Sequence, residues 1–117
     1  MSGSRSYHAG LAAEHIVENH YLAAGDGIMA RRWRGQGGEL DLILRRDDKI
    51  IFVEVKQSKT HDQAVQAFGP KQQRRVYDAG AEYLATAATP WQGDVQFDVA
   101  LVDQIGRVAV IENALAA

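Results

Sequence analysis

Glu54-Val55-Lys56 sets a carboxylate and an amine two residues apart, directly behind the apolar run Ile50-Ile51-Phe52-Val53. Upstream, Asp41 interrupts a second apolar stretch, Gly38-Glu39-Leu40-Asp41-Leu42-Ile43. If both are strands joined at Asp47-Asp48, with Arg46 opposite Lys49, paired residue numbers sum to 95. Asp41 then faces Glu54, and Glu39 faces Lys56; a four-residue turn keeps that register and a three-residue turn breaks it. Directly opposed residues share a face, with Cβ atoms roughly 4.5–5.5 Å apart. Alternation along each strand puts Glu39 with Asp41 and Glu54 with Lys56.

Two carboxylates held opposite each other repel and need a compensating charge. Lys56 offers one positive charge, and a divalent cation offers two. Mg²⁺ is commonly held by one or two carboxylates, with water and substrate phosphate filling its other positions. The chemistry implied is phosphodiester hydrolysis: the cation acidifies a bound water, and Lys56 orients that water or stabilises charge in the transition state. The competing reading is a salt-bridge network holding the hairpin together, and for a single Glu-x-Lys that reading is the commoner one. Here the charges interrupt strands that otherwise alternate or run apolar. Burying them costs several kcal/mol per ion unless they are satisfied.

The elements that must position these residues follow from periodicity. Residues 1–7 read as a disordered lead-in, and 8–117 as a single domain. Ala13, Val17 and Tyr21, with Ala12 and Ile16 beside them, predict a helix from about His8 to Ala24, ended by Gly25 and Gly27. Ile28 to Trp33 predicts a short strand, and Gly35-Gln36-Gly37-Gly38 a flexible loop. Glu39–Arg46, with Leu40, Leu42 and Leu44 on one face, and Lys49–Lys56 are the clearest strands. Residues 57–69 read as irregular or weakly helical. Pro70 suits the first turn of a helix running to about Ala87, with Val76, Ala79, Tyr83 and Leu84 on its apolar side and Gly80 in its interior. Val95–Val102 and Arg107–Ile111 predict a second hairpin. The order α-β-β-β-α-β-β predicts a mixed α/β fold, a sheet flanked by helices.

Composition narrows the classes. A chain of 117 residues fits one domain, and it is long enough to bury about two-thirds of its surface without a disulfide or structural metal. The absence of cysteine excludes a disulfide scaffold, a thiolate zinc site and a cysteine nucleophile. His15 and His20 do not share a helix face and His8 and His61 are isolated, so no zinc site is expected. No apolar run approaches the roughly 18 residues of a membrane span, and with no apolar signal core near the start the expected location is cytoplasmic. A net charge of −2 argues against coating nucleic acid by bulk attraction. Two clusters, Arg31-Arg32-Arg34 and Lys71-Arg74-Arg75, read either as a local basic track or as solvated surface.

At the acidic pair the sequence resembles the PD-(D/E)xK nuclease superfamily: Asp41 matches the first acidic position, and Glu54-Val55-Lys56 matches the (D/E)xK element. Gly38 to Ile43, Phe52 to Lys56, Lys71-Gln72, Phe97-Asp98-Val99, the early helix with Gly10 and Glu14, and Ile111 to Ala114 together resemble the YraN-like family of uncharacterised bacterial proteins, across roughly residues 8–115. That family resembles archaeal Holliday-junction resolvases. The resemblance implies a restriction-endonuclease-like fold, with Mg²⁺ or Mn²⁺ held by Asp41, Glu54 and the main-chain carbonyl of Val55. It further implies a catalytic Lys56, and Glu14 from the first helix completing the site. Glu39 and Gln57 read as site neighbours, and Lys71 as either a phosphate contact or a simply exposed charge. Gln73 and Tyr77 have the Gln-x-x-x-Tyr spacing of a related branch and share a helix face.

The chain departs from the family pattern at two places. Gln57-Ser58 stands where a small polar residue and an arginine are common, and Gln96 stands where an arginine often precedes Phe-Asp-Val. Both departures remove expected phosphate contacts.

The expectation is a metal-dependent endonuclease acting on DNA, with branched or repair intermediates suggested by the resemblance. A homodimer is compatible with the two-fold symmetry of a four-way junction. The alternatives are a non-catalytic nucleic-acid-binding or adaptor module on the same fold, and a purely structural charge network.

Overall fold

The structure, a computed structural model, describes residues 3–115, with side chains from Gly10 onward. Its elements are α1 (Gly3–Ala23), β1 (Gly27–Arg34), β2 (Glu39–Arg46), β3 (Lys49–Gln57), α2 (His61–Gln66), α3 (Pro70–Ala85), β4 (Asp94–Val102) and β5 (Val108–Ile111). The order matches the expected one, with the weakly helical 57–69 region supplying the short α2. The backbone is already helical from Gly3, ahead of the His8 start that the apolar pattern predicts. Met1 and Ser2 of the expected lead-in lie outside the described residues.

Five strands form one sheet in the order β1-β2-β3-β4-β5. Every neighbouring pair is antiparallel except β3 and β4, which run parallel. A parallel pair needs a long crossover, and α2 and α3 provide it. They cover one face of the sheet while α1 covers the other. The central strand β3 is therefore buried on both sides, which is why Ile50 to Val53 is continuously apolar rather than alternating.

The core is accordingly two layers. Ile50, Phe52, Val76, Ala79 and Phe68 pack on the α3 side. Ala13, Val17, Tyr21, Ile51 and Val53 pack on the α1 side. Phe52 is fully buried, a burial worth about 1.5–3 kcal/mol. Gly80, unfavourable in a helix by propensity, is explained by contact: a Cβ there would lie 2.8 Å from the Phe97 ring. Of the apolar positions expected on α1, Ala12 is exposed instead.

One expected face is corrected. Leu42 and Leu44 pack on the α1 side, but Leu40 packs on the α3 side. The β1–β2 ladder keeps its register through Arg31↔Leu42 and Trp33↔Leu40. Between those pairs stand Arg32, at φ 49, and Asp41. A left-handed residue turns the strand locally, so β1 and β2 change face together at the level of Asp41.

Candidate active site

The β2–β3 register is the expected one: Arg46 pairs with Lys49 and Leu42 with Val53. The ladder ends there, so Asp41 and Glu54 stand just beyond the last pair, where the two strands part. Asp41 takes up the interrupted bonding: the Val55 N–H donates to its Oδ2 at 2.8 Å. Val55 packs on the α1 side, which directs its neighbours Glu54 and Lys56 toward α3. The Lys56 amine lies 3.5 Å from Glu54 Oε2.

A residue not assigned a role from the sequence completes this group. Gln72 reaches down from α3, its Nε2 donating to Glu54 Oε2 at 2.5 Å while its Oε1 accepts from Lys56 Nζ at 2.8 Å. The amide thus bridges the anion and the cation. Its only sequence signal is its place in the Lys71-Gln72 pair; the contact itself depends on how α3 docks over β3.

Charge at the site is strained by burial. Glu54 is 6% exposed. Its carboxyl is pushed up to about 8 by desolvation, by the Asp41 charge and by a hydrogen bond with Asp41, against the lowering effect of Lys56. Asp41 is also raised, by burial first; the Val55 N–H, the bond to Glu54 and Lys56 oppose this, while Glu39 adds to it. The two carboxyls interact closely enough that the pair titrates as a unit.

Asp41 and Glu54 form the floor of a polar cleft of about 540 Å³, lined on one side by the Arg34–Glu39 hairpin segment and on the other by Gln72, Arg75 and Val76 of α3; Lys56 stands behind Glu54 and does not itself line it. Glu39 stands on its wall but pairs with Arg34, at 2.8 Å, rather than with the expected Lys56. Glu14 lies toward the same region from α1. Its carboxyl is raised by burial, with Asp41 and Glu39 adding to the rise, and it accepts a hydrogen bond from Arg32 Nε at 2.9 Å. Among the described residues, no three carboxylate or imidazole groups converge closely enough to hold a metal ion by themselves.

The remaining candidates stand apart. Gln73 donates to the Phe68 carbonyl at 3.1 Å, closing the turn before α3. Tyr77 is 54% exposed and stacks on Phe97, beside an apolar groove rather than the polar cleft. Gln57 is exposed at the end of β3, and Lys71 is exposed near the start of α3. Gln96 faces the α1 side, where it accepts from Lys49 and donates to the buried Asp98. The departure at position 96 therefore bears on the Asp98 network, which also takes the Tyr21 hydroxyl at 2.8 Å, and not on a phosphate contact. The arginine cluster is neutralised: Arg31, Arg32 and Arg34 pair with Glu18, Glu14 and Glu39.

Fold and site together define a small mixed α/β protein with a polar cleft built on an acidic pair, a lysine and a bridging glutamine. Residues 13–102 match the Uncharacterised protein family UPF0102, and the chain belongs to that family, the YraN-like bacterial proteins. A UPF0102 protein of Cereibacter sphaeroides is 48% identical over 117 residues, the whole of both chains. Another from Roseobacter denitrificans is 46% identical over 114 residues, covering 97% of this chain and 88% of its own. A third, from Ruegeria pomeroyi, is 45% identical over 112 residues, 96% of this chain and 91% of its own. These names carry the family designation and no activity. Among the described residues no helix is long and apolar enough to cross a membrane.

Proposed function

We propose that this chain is a cytoplasmic, metal-dependent nuclease of the PD-(D/E)xK type that hydrolyses phosphodiester bonds in DNA, with branched or repair intermediates as its substrates. The observation that carries the reading is the largely buried Asp41 and Glu54 carboxyls together lining an open polar cleft, with the Lys56 amine 3.5 Å from Glu54 Oε2. A pair so desolvated must either share a proton or hold a cation.

The donor set suits Mg²⁺ or Mn²⁺, which take oxygen ligands. Asp41 and Glu54 supply carboxylates. The N–H and C=O of a strand residue leave on the same edge, so the Val55 carbonyl faces the side where its N–H meets Asp41 and where the ladder has ended. A divalent cation bound there would acidify a water and draw charge from the scissile phosphate. Lys56, held by Gln72, would hydrogen-bond through its ammonium group to a phosphate oxygen and stabilise charge in the transition state, or orient the attacking water. Gln72 keeps Glu54 and Lys56 in register with each other. Lys71, Arg74 and Arg75 on α3 have no ion pair among the described residues, which leaves them available to backbone phosphates.

The test is cleavage of linear, flapped and four-way-junction DNA by purified protein with Mg²⁺ or Mn²⁺. Metal-dependent cleavage abolished by Asp41→Ala and by Lys56→Ala supports the proposal. Absence of cleavage, or cleavage indifferent to both changes, rejects it.

One observation favours a second reading, a non-catalytic nucleic-acid-binding module. Glu14 and Glu39 are both engaged by arginines, so only two carboxylates remain for a metal. That module would bind DNA without metal, keep binding in Glu54→Gln, and weaken steeply with salt. A homodimer, the form that matches a two-fold symmetric junction, would appear by light scattering as a complex of two protein chains with one junction.

A further inference from the structure

The cleft has two walls, and a single side chain ties them together. One wall is the β1–β2 hairpin loop, closed by the Gly35 N–H donating to the Gly38 carbonyl at 2.9 Å. The other is α3. Glu82, a turn and more beyond Arg75 on α3, accepts the Gln36 N–H on both carboxylate oxygens, at 2.9 Å each, and the Gly37 N–H at 3.3 Å. Among the described residues these are the only hydrogen bonds from the loop to α3. Glu82 does not itself line the cleft; it acts on the loop from outside.

The glycines of this loop make sense against that contact. A Cβ at Gly35 would collide with the Glu82 carboxylate, and one at Gly38 would lie 2.8 Å from the Arg75 carbonyl. Gly38 needs glycine because loop and helix backbone approach so closely there, whereas at Gly35 it is the end of the Glu82 side chain that would have to move. Successive backbone N–H groups form a concave anion seat, and the Glu82 carboxylate fills it. Glutamine would offer one oxygen and turn an NH₂ toward N–H donors.

We infer that Glu82 is a positioning residue of the cleft: it clasps the glycine hairpin onto α3 and so sets the width open to a phosphodiester strand. This rests on the nuclease reading above, since it assumes that nucleic acid enters this cleft. The residue acts on binding rather than on the reacting atoms, so its loss should appear in KM and not in kcat.

Glu82→Ala keeps helix propensity and removes both acceptor oxygens of the clasp. The expected result is hydrogen exchange at the Gln36 and Gly37 amides faster by about tenfold, with melting temperature nearly unchanged. Alongside it, KM and the metal-free Kd for a labelled four-way junction rise by about threefold or more while kcat holds. Unchanged amide exchange overturns the clasp. Faster exchange with unchanged KM and Kd overturns the positioning role and leaves a structural tie. A wild-type chain that neither binds nor cleaves DNA overturns the nuclease reading and this inference with it; that failure is told apart by an amide-exchange response that still appears.

Discussion

The Val55 N–H donates to the Asp41 carboxylate at 2.8 Å just past the point where the β2–β3 ladder ends. A side chain thus stands in for a strand carbonyl, and the acidic pair is built into the bonding of the sheet. Asp41→Ala leaves that N–H without its partner and is expected to lower stability by about 1–3 kcal/mol. Asp41→Asn keeps an acceptor for the Val55 N–H while removing a largely buried charge, so it is expected to hold or raise stability. Urea unfolding at pH 7 separates the two variants. An Asn variant as weak as the Ala variant would show that the charge itself stabilises the hairpin, which favours the structural-network reading over a functional site.

Stability is expected to fall as pH rises through the range that the Glu54 carboxyl spans. Its folded value is pushed up to about 8 from an ordinary 4.5. The native state therefore holds a proton that the unfolded chain has released, and stability declines with pH across that interval. Below about 4.5 both states are protonated and the term vanishes. Glu54→Gln, which mimics the protonated form, should be more stable than wild type at pH 8 by an amount on the order of a few kcal/mol. The two proteins should converge near pH 4. A pH-independent difference between their melting temperatures would rule out this titration as the cause.

Divalent cation should act on the same term with the opposite sign. Binding requires the pair to lose its shared proton, so affinity rises with pH and proton release accompanies binding. At a fixed concentration about a hundred times its Kd at pH 8, Mg²⁺ or Mn²⁺ is expected to add about 2.7 kcal/mol at pH 8 and less at pH 6, where the Kd is weaker. The gain should disappear in Glu54→Gln. Calorimetric titration in buffers of different ionisation enthalpy measures the released proton directly. Equal stabilisation of wild type and Glu54→Gln would place the ion elsewhere.

Much of the pairing was legible because it rests on local rules. The Asp47-Asp48 turn and the apolar runs beside it set a register that the Arg46↔Lys49 and Leu42↔Val53 pairs reproduce. What escaped was long-range or conformational. No periodicity encodes the left-handed Arg32, so the separation of Leu40 from Leu42 across the sheet could not be read. The same irregularity accompanies the pairing of Arg32 with Glu14, and with Arg31 and Arg34 also paired, a cluster that reads from sequence as either a basic track or solvated surface is an array of ion pairs. Glu39 was placed opposite Lys56 by strand register alone, but Arg34 was a closer partner along its own hairpin. Gln73 and Tyr77 satisfied a spacing without facing the cleft. Gln72, their neighbour, does face it, and only the docking of α3 over β3 distinguishes the two glutamines.

That distinction sets the last prediction. Gln72 donates to Glu54 and accepts from Lys56, so it fixes the direction in which the amine points. Replacing it with leucine keeps apolar volume and removes both bonds, leaving a buried carboxyl and an ammonium with fewer partners. Stability should fall by about 1–3 kcal/mol. If the cleft is a nuclease site, kcat should drop by about 10–100-fold, as expected when a residue that orients catalytic groups is lost, with a smaller change in KM. Gln73→Leu is the internal control: it removes the bond to the Phe68 carbonyl and should affect stability with little effect on kcat. Steady-state cleavage of junction DNA by both variants decides the matter. A Gln73 variant as inactive as the Gln72 variant would mean that disturbing α3 alone suffices, and that the bridge between Glu54 and Lys56 has no separate role.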